Sequence, residues 1–202
     1  MSEESLAVIG GGVIGLAVAR RAALAGWSVR VHRTGAWGQA PSDQCGTIAH
    51  PGASWVAGGM LAPHSEGWPG EEKLLQLGLE SLRLWHSGFL DGLPGEVVTA
   101  RESLVVAVDR ADAADLRTVG EWLAAQGHPV TMTTAARDVE PLLAQGIRHG
   151  FRATDELAVD NRLLVGALQA HCEELGVRWA GPVASLDQAR DGVGTVVIAN
   201  CI

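Results

Sequence analysis

The stretch Leu6-Ala-Val-Ile-Gly-Gly-Gly-Val-Ile-Gly15 joins an apolar run to glycines at positions 10, 12 and 15. The run Leu6–Ile9 has the character of a buried parallel strand, apolar throughout rather than alternating. From Val13 to Ala25 the residues are small or apolar with Arg20 and Arg21 interrupting, which predicts a helix stopped at Gly26. Val29-Arg-Val-His32 alternates as a second strand. In such a unit the first glycine allows a tight bend and the second lets backbone approach a pyrophosphate. The third lets the helix press on the strand. Gly10, Gly12 and Gly15 fill these places, and a helix starting near Val13 aims its free amides and positive dipole end at phosphate. A dinucleotide site is therefore expected. The second strand should end on an acidic residue for the ribose hydroxyls, but that place falls on Arg33, followed by Thr34. Arg33 there is compatible with a 2′-phosphate and hence NADP. It is equally compatible with a flavin nucleotide held through backbone and the Thr34 hydroxyl.

Beyond this unit, residues 35–54 are rich in Gly, Pro, Ala and Ser and read as a long loop containing Cys45 and His50. Amphipathic spacing predicts helices over Leu74–Phe89 and Ala111–Gln126. A strand is expected within Val97–Val108, centred on Ser103–Val108, and a short helix around Glu140-Pro141. Asp160 is placed to cap a helix over Asn161–Leu175 that Gly176 closes. Short strands are expected at Val177–Ala180, Val183–Leu186 and Thr195–Ala199, with a turn at Asp191-Gly192. The fold class is α/β: a dinucleotide-binding parallel sheet with helices, carrying an inserted smaller α+β domain. Residues 1–90 and 151–202 are assigned to the nucleotide-binding domain, and 91–150 to part of a substrate domain.

Composition narrows the function. The chain has 202 residues, 47% hydrophobic, with 26 Gly, two Phe and no Tyr, enough for a core packed by small and aliphatic side chains. Its formal charge is −8, from 23 acidic and 15 basic residues, the opposite of a nucleic-acid footprint. Cys45, Cys172 and Cys201 are scattered, without CxxC or a Cys/His spacing suited to zinc, so no metal site is expected and reduced thiols are. Glu3 and Glu4 precede the first strand, unlike a secretory signal, and no apolar run is long enough to span a bilayer. A soluble cytoplasmic protein without membrane or nucleic-acid partners is expected. The oligomeric state stays open between monomer and homo-oligomer.

A second glycine segment, Gly52-Ala-Ser-Trp-Val-Ala-Gly-Gly-Met-Leu-Ala-Pro63, accompanies the first. Together the two segments resemble the D-amino-acid oxidase superfamily, most closely the glycine oxidases of thiamine biosynthesis. Ser81-Leu-Arg-Leu-Trp85, Val139-Glu-Pro141 and Val159-Asp-Asn-Arg-Leu163 support the resemblance, which covers nearly the whole chain. It implies FAD as cofactor, with contacts from Val13, Ile14, Arg33, Thr34, Ala53, Ser54, Gly58, Gly59 and Met60. It also implies a backbone contact to adenine from Val183. The implied reaction is oxidative deamination of glycine or a small amine, with oxygen as electron acceptor and hydrogen peroxide as product. No side-chain base is needed, because the flavin accepts the hydride.

Three departures stand beside the resemblance. The loop from Gly35 to Pro51 looks longer than the family's. The strand Val196–Ala199 runs in the family into Ala-Gly and on toward a substrate sheet. The Arg that clamps the substrate carboxylate and an aromatic hydroxyl lie in that later part, so a carboxy-terminally truncated chain is expected. The alternatives are a non-catalytic fragment that at most binds nucleotide, or another FAD- or NADP-dependent amine oxidoreductase. Ser54 lacks the second glycine of a G-x-S-x-G nucleophile elbow. His64 and Glu66 read as a polar loop, and His171 and Cys172 as structural residues facing different directions on a helix.

Overall fold

A computed structural model of the chain describes residues 4–33 and 52–199. In chain order the first elements are β1 (Ser5–Ile9), α1 (Val13–Leu24), β2 (Ser28–His32), α2 (Ala53–Val56), β3 (Met60–Leu61) and α3 (Glu72–Leu84). There follow β4 (Val98–Ala100), β5 (Ser103–Val106), α4 (Arg110–Ala125), β6 (Thr131–Thr133), α5 (Ala136–Val139), β7 (Gly150–Ala153) and β8 (Leu157–Val159). The last are α6 (Asn161–Glu174), β9 (Arg178–Ala180), α7 (Leu186–Arg190) and β10 (Thr195–Ile198). They divide into two compact units. One holds the described residues up to Gly58, Gly92–Val97 and those from Asp160 on; the other holds Gly59–Asp91 and Val98–Val159.

The first unit is a parallel sheet in the order β10-β1-β2-β9. Leu6, Ala7 and Val8 of β1 and Val29 and Val31 of β2 are buried, as the apolar runs require. Helices α1 and α6 pack on each other through Leu16, Ala19, Leu168 and Cys172, all fully buried. Gly26, at φ +87°, ends α1, with its N–H donating to the Ala23 carbonyl and that of Trp27 to the Ala22 carbonyl. Asp160 caps α6 as expected, its carboxylate accepting from the Arg162 and Leu163 amides at 3.0 and 2.9 Å.

The second unit has two antiparallel three-stranded sheets, β3-β8-β4 and β5-β7-β6. Its core is Leu75, Val119, Leu123 and Phe151, flanked by Leu79, Val105, Leu116, Trp122 and Val130. Several sequence expectations change here. The strand foreseen in 97–108 is two, β4 and β5, interrupted at Arg101 and Glu102. The helix foreseen over 74–89 ends at Leu84, and a wider turn over Trp85–Phe89 follows, in which Gly88 sits at φ +128°. Its buried positions are Leu75 and Leu82, whereas Leu74 and Leu77 face solvent. Strands β7 and β8 form antiparallel pairs, so the parallel part of the chain resumes at Asp160.

Candidate functional site

The first glycine turn is built as its spacing requires. Gly10 sits at φ +119°, and its N–H donates to the His32 carbonyl at 2.9 Å, tying the bend to the end of β2. Gly12 is the N-cap of α1 and has no side chain to cap it; the first turn carries no acidic residue. No residue of the turn itself caps the opening amides, and the positive end of the helix dipole lies beside them. A Cβ on Gly15 would lie 1.9 Å from the Gly10 carbonyl oxygen and 3.3 Å from Val8 Cγ1, so only glycine lets α1 rest on β1. Ile14 in the first turn is exposed.

The second glycine segment enters the same place from far along the chain. Ser54 Oγ accepts a hydrogen bond from the Val13 amide at 3.0 Å, across 41 positions. A Cβ on Gly12 would meet that same Oγ at 3.0 Å. Ala53 and Ser54 begin α2, which α6 holds: Asn161 Nδ2 donates to the Ser54 carbonyl at 2.6 Å, and the Arg162 guanidinium lies 5.0 Å over the Trp55 ring. Gly10, Gly12, Val13, Gly15, Ala53 and Ser54 therefore gather at one helix terminus. Asn161, which holds this segment in place, is a candidate that sequence reading missed. Its only signal was its place after the Asp160 cap in the Val159-Asp-Asn-Arg run.

At the end of β2, Arg33 is engaged rather than open. Its guanidinium lies 4.6 Å over the Trp179 ring of β9 and donates from Nη1 to Gln169 Oε1 at 3.2 Å. Beside it, buried His32 bonds through Nδ1 to the Gly181 carbonyl at 3.0 Å. A guanidinium already stacked and bonded is poorly placed to clamp a 2′-phosphate. Titration with NADP should accordingly show no binding with a Kd under about 10 µM, and Arg33→Ala should leave that result unchanged. Saturable NADP binding that Arg33→Ala removes would contradict this reading of the β2 terminus.

The remaining expected contacts fall differently. Thr34, with Cys45 and His50, lies outside the described residues, as does Cys201. Gly58 has open space where a Cβ would be. Gly59 takes φ +75°, and a Cβ there would come within 2.0 Å of the Val159 carbonyl oxygen. The next residue, Met60, is exposed. Val183 is not in a strand. It lies in an irregular segment before α7, because Ser185 caps that helix by accepting from the Gln188 amide at 3.2 Å and Gln188 Oε1 accepts from the Ala184 amide at 2.8 Å. Leu186, foreseen as the end of that strand, instead opens the helix.

Two ionisable groups resolve into structural roles. Burial, with Glu173 nearby, pushes the Cys172 thiol up to about 11 against the opposing Arg20, so it is a poor nucleophile; its Sγ donates to the Leu16 carbonyl. His171 Nδ1 accepts from Arg20 Nε at 3.1 Å. In the second unit, burial raises the Glu156 carboxyl, but hydrogen bonds from His64, Ser65 and Ser103 outweigh it and hold the group below its ordinary range. A depressed folded value contributes stability above the unfolded carboxylate range and loses it as pH falls through the folded value. The melting temperature of the native protein should therefore drop on acidification below about pH 4.3, and Glu156→Gln should flatten that acid limb. An acid limb of the same steepness in the variant would assign the effect to other carboxylates.

Comparison with known proteins places this geometry. A family model described as FAD dependent oxidoreductase matches residues 5–201. A Rhizobium etli protein named for thiamine biosynthesis oxidoreductase ThiO is 34% identical over 192 residues, covering 92% of this chain and 51% of that protein. Glycine oxidase from Geobacillus kaustophilus superposes with a TM-score of 0.73 at 24% identity, covering 88% of this chain and 47% of that one. L-α-glycerophosphate oxidase from Mycoplasma pneumoniae, with FAD bound, gives 0.69 at 18%, covering 90% and 45%. These structural likenesses show the fold, and the chain spans about half the length of the relatives it matches. The matched span takes in both glycine segments, and on that match the chain belongs to the family of FAD dependent oxidoreductases.

Proposed function

We propose that this chain supplies the FAD-holding part of an oxidase acting on glycine or a comparably small amine, and that its metabolic setting is thiamine biosynthesis. The observation that carries the proposal is the Val13–Ser54 hydrogen bond, which joins the two glycine segments at the amino end of α1. Gly12 and the amides of the first turn of α1 would receive the pyrophosphate, the positive helix end offsetting its charge. Arg33, with Thr34, would meet the adenosine side, and Val183 would meet adenine through backbone. Ala53, Ser54, Gly58, Gly59 and Met60 would lie along the flavin ring, where small residues let main chain come close. The division into an FAD-binding part (1–90 and 151–202) and part of a substrate domain (91–150) belongs to the same proposal.

FAD, when bound, would supply the electron acceptor for oxidation of a glycine C–N unit to an imine, with oxygen as the final acceptor and hydrogen peroxide as product. The residues named above would hold the cofactor and set its field, and no side-chain base is assigned. The Rhizobium protein's name supports the thiamine setting, and the Geobacillus enzyme's name supports glycine.

The test uses the native protein loaded with FAD. Anaerobic addition of glycine should bleach the flavin absorbance, and admission of air should restore it with release of peroxide. Flavin that glycine, its N-alkyl derivatives and small D-amino acids all leave oxidised would overturn the substrate assignment.

A further inference from the structure

The second unit contains a carboxylate that the proposed chemistry does not use. Glu156 is fully buried in the turn between β7 and β8. Its Oε1 accepts from the His64 and Ser65 amides at 2.6 and 2.8 Å, and its Oε2 from the Ser65 hydroxyl at 2.5 Å. Ser103, at the start of β5, adds a further hydrogen bond, and His64 Nδ1 stands 3.5 Å from Oε1. The same turn is held from another side, where His86 Nε2 bonds the Asp155 carbonyl at 2.8 Å. Burying an ionised carboxylate costs several kcal/mol unless donors converge on it, as they do here.

What these donors hold is specific. His64 and Ser65 follow two residues after β3, whose Met60 and Leu61 pair with Ala158 and Leu157 of β8. At the other end of this short ladder the Val159 amide donates to the Gly59 carbonyl at 2.8 Å. A two-residue strand is too short to hold its own register. Here it is closed at the Gly59 end by a backbone bond and at the Ser65 end by the Glu156 carboxylate. Resting on the flavin reading above, we propose that Glu156 is a positioning residue: it staples residues 64–65 to the β7–β8 turn and thereby fixes the conformation in which Gly59 and Met60 meet the flavin. An acidic residue in Thr154-Asp-Glu156 would otherwise sit in solvent, and an apolar residue would fill the same volume without gripping two amides and a hydroxyl.

The experiment compares Glu156→Ala and Glu156→Gln in the native FAD-loaded protein with Leu123→Ala, a cavity variant in the same unit's core. Hydrogen–deuterium exchange is followed at residues 59–66, and the visible absorption spectrum of bound flavin is recorded well below each melting temperature. Glu156→Ala should speed exchange in 59–66 by about tenfold, the factor for ~1.4 kcal/mol of lost anchoring, and shift the flavin bands. Glu156→Gln, which keeps the shape and an acceptor, should recover most of the wild-type spectrum. Leu123→Ala should lower the melting temperature without either local change. Exchange in 59–66 that stays slow in Glu156→Ala, or rises as much in Leu123→Ala, overturns the staple. Faster local exchange with an unmoved flavin spectrum overturns the positioning role. Wild-type protein that takes up no FAD refutes the flavin reading instead, and the exchange comparison then still decides the staple.

Discussion

Gly12→Val should abolish FAD binding while leaving the fold standing. The backbone at Gly12 has φ −74° and ψ −179°, a conformation open to any L-residue, so the substitution adds no strain of its own. The new side chain instead projects toward Ser54 Oγ, which a Cβ alone would already meet at 3.0 Å. The two further methyls of valine displace Ser54 from the Val13 amide and occupy the space in which a pyrophosphate must reach backbone. We expect FAD affinity to fall about 100-fold or more, ~2.7 kcal/mol, with far-ultraviolet circular dichroism unchanged. Flavin fluorescence titration measures the first and the dichroism spectrum the second. Unchanged flavin content in the variant would sink the assignment of the turn.

Gly15→Ala should act on the fold itself. Here the added Cβ has nowhere to go: the Gly10 carbonyl oxygen is backbone and lies 1.9 Å away, inside any real contact distance. Helix α1 would have to lift from β1, and its packing against α6 through Leu16 and Ala19 would open with it. Overpacking against unyielding backbone places this among the severe single substitutions, about 3 kcal/mol or more. The urea midpoint should fall sharply, and FAD binding should disappear as a consequence. A midpoint equal to wild type would mean that the turn can relax in a way its geometry does not suggest. Together the two variants separate the glycines: the second makes room for ligand, and the third makes room for the helix.

The β1–α1–β2 unit was legible because its signals are local and agree with one another: an apolar run, glycines at fixed offsets, a small-residue helix and its Gly26 stop. Helix α6 was legible for the same reason, through the Asp160 cap and Gly176. What escaped depends on partners distant in sequence. Strands β7 and β8 are Gly-Phe-Arg-Ala and Leu-Ala-Val, too short to show a period, and become strands only by pairing with β5, β6, β3 and β4. Ser54 was read as a flavin contact, but its bond to Val13 bridges 41 positions and has no local trace. Glu156 carried no sequence signal, because nothing in Thr154-Asp-Glu156 announces the two amides that close over it. The misplaced strand at Val183 was avoidable: Ser185-Leu-Asp-Gln188 has the capping-box spacing that starts a helix.

The central claim is that the two glycine segments form an FAD site, and the purified native protein tests it most directly. Its absorption spectrum should show oxidised flavin bands, or acquire them on incubation with FAD and retain them through gel filtration. Denaturation should then release FAD, and not FMN or a nicotinamide nucleotide, in stoichiometric amount. A folded, colourless protein that retains no FAD after such incubation would contradict the account.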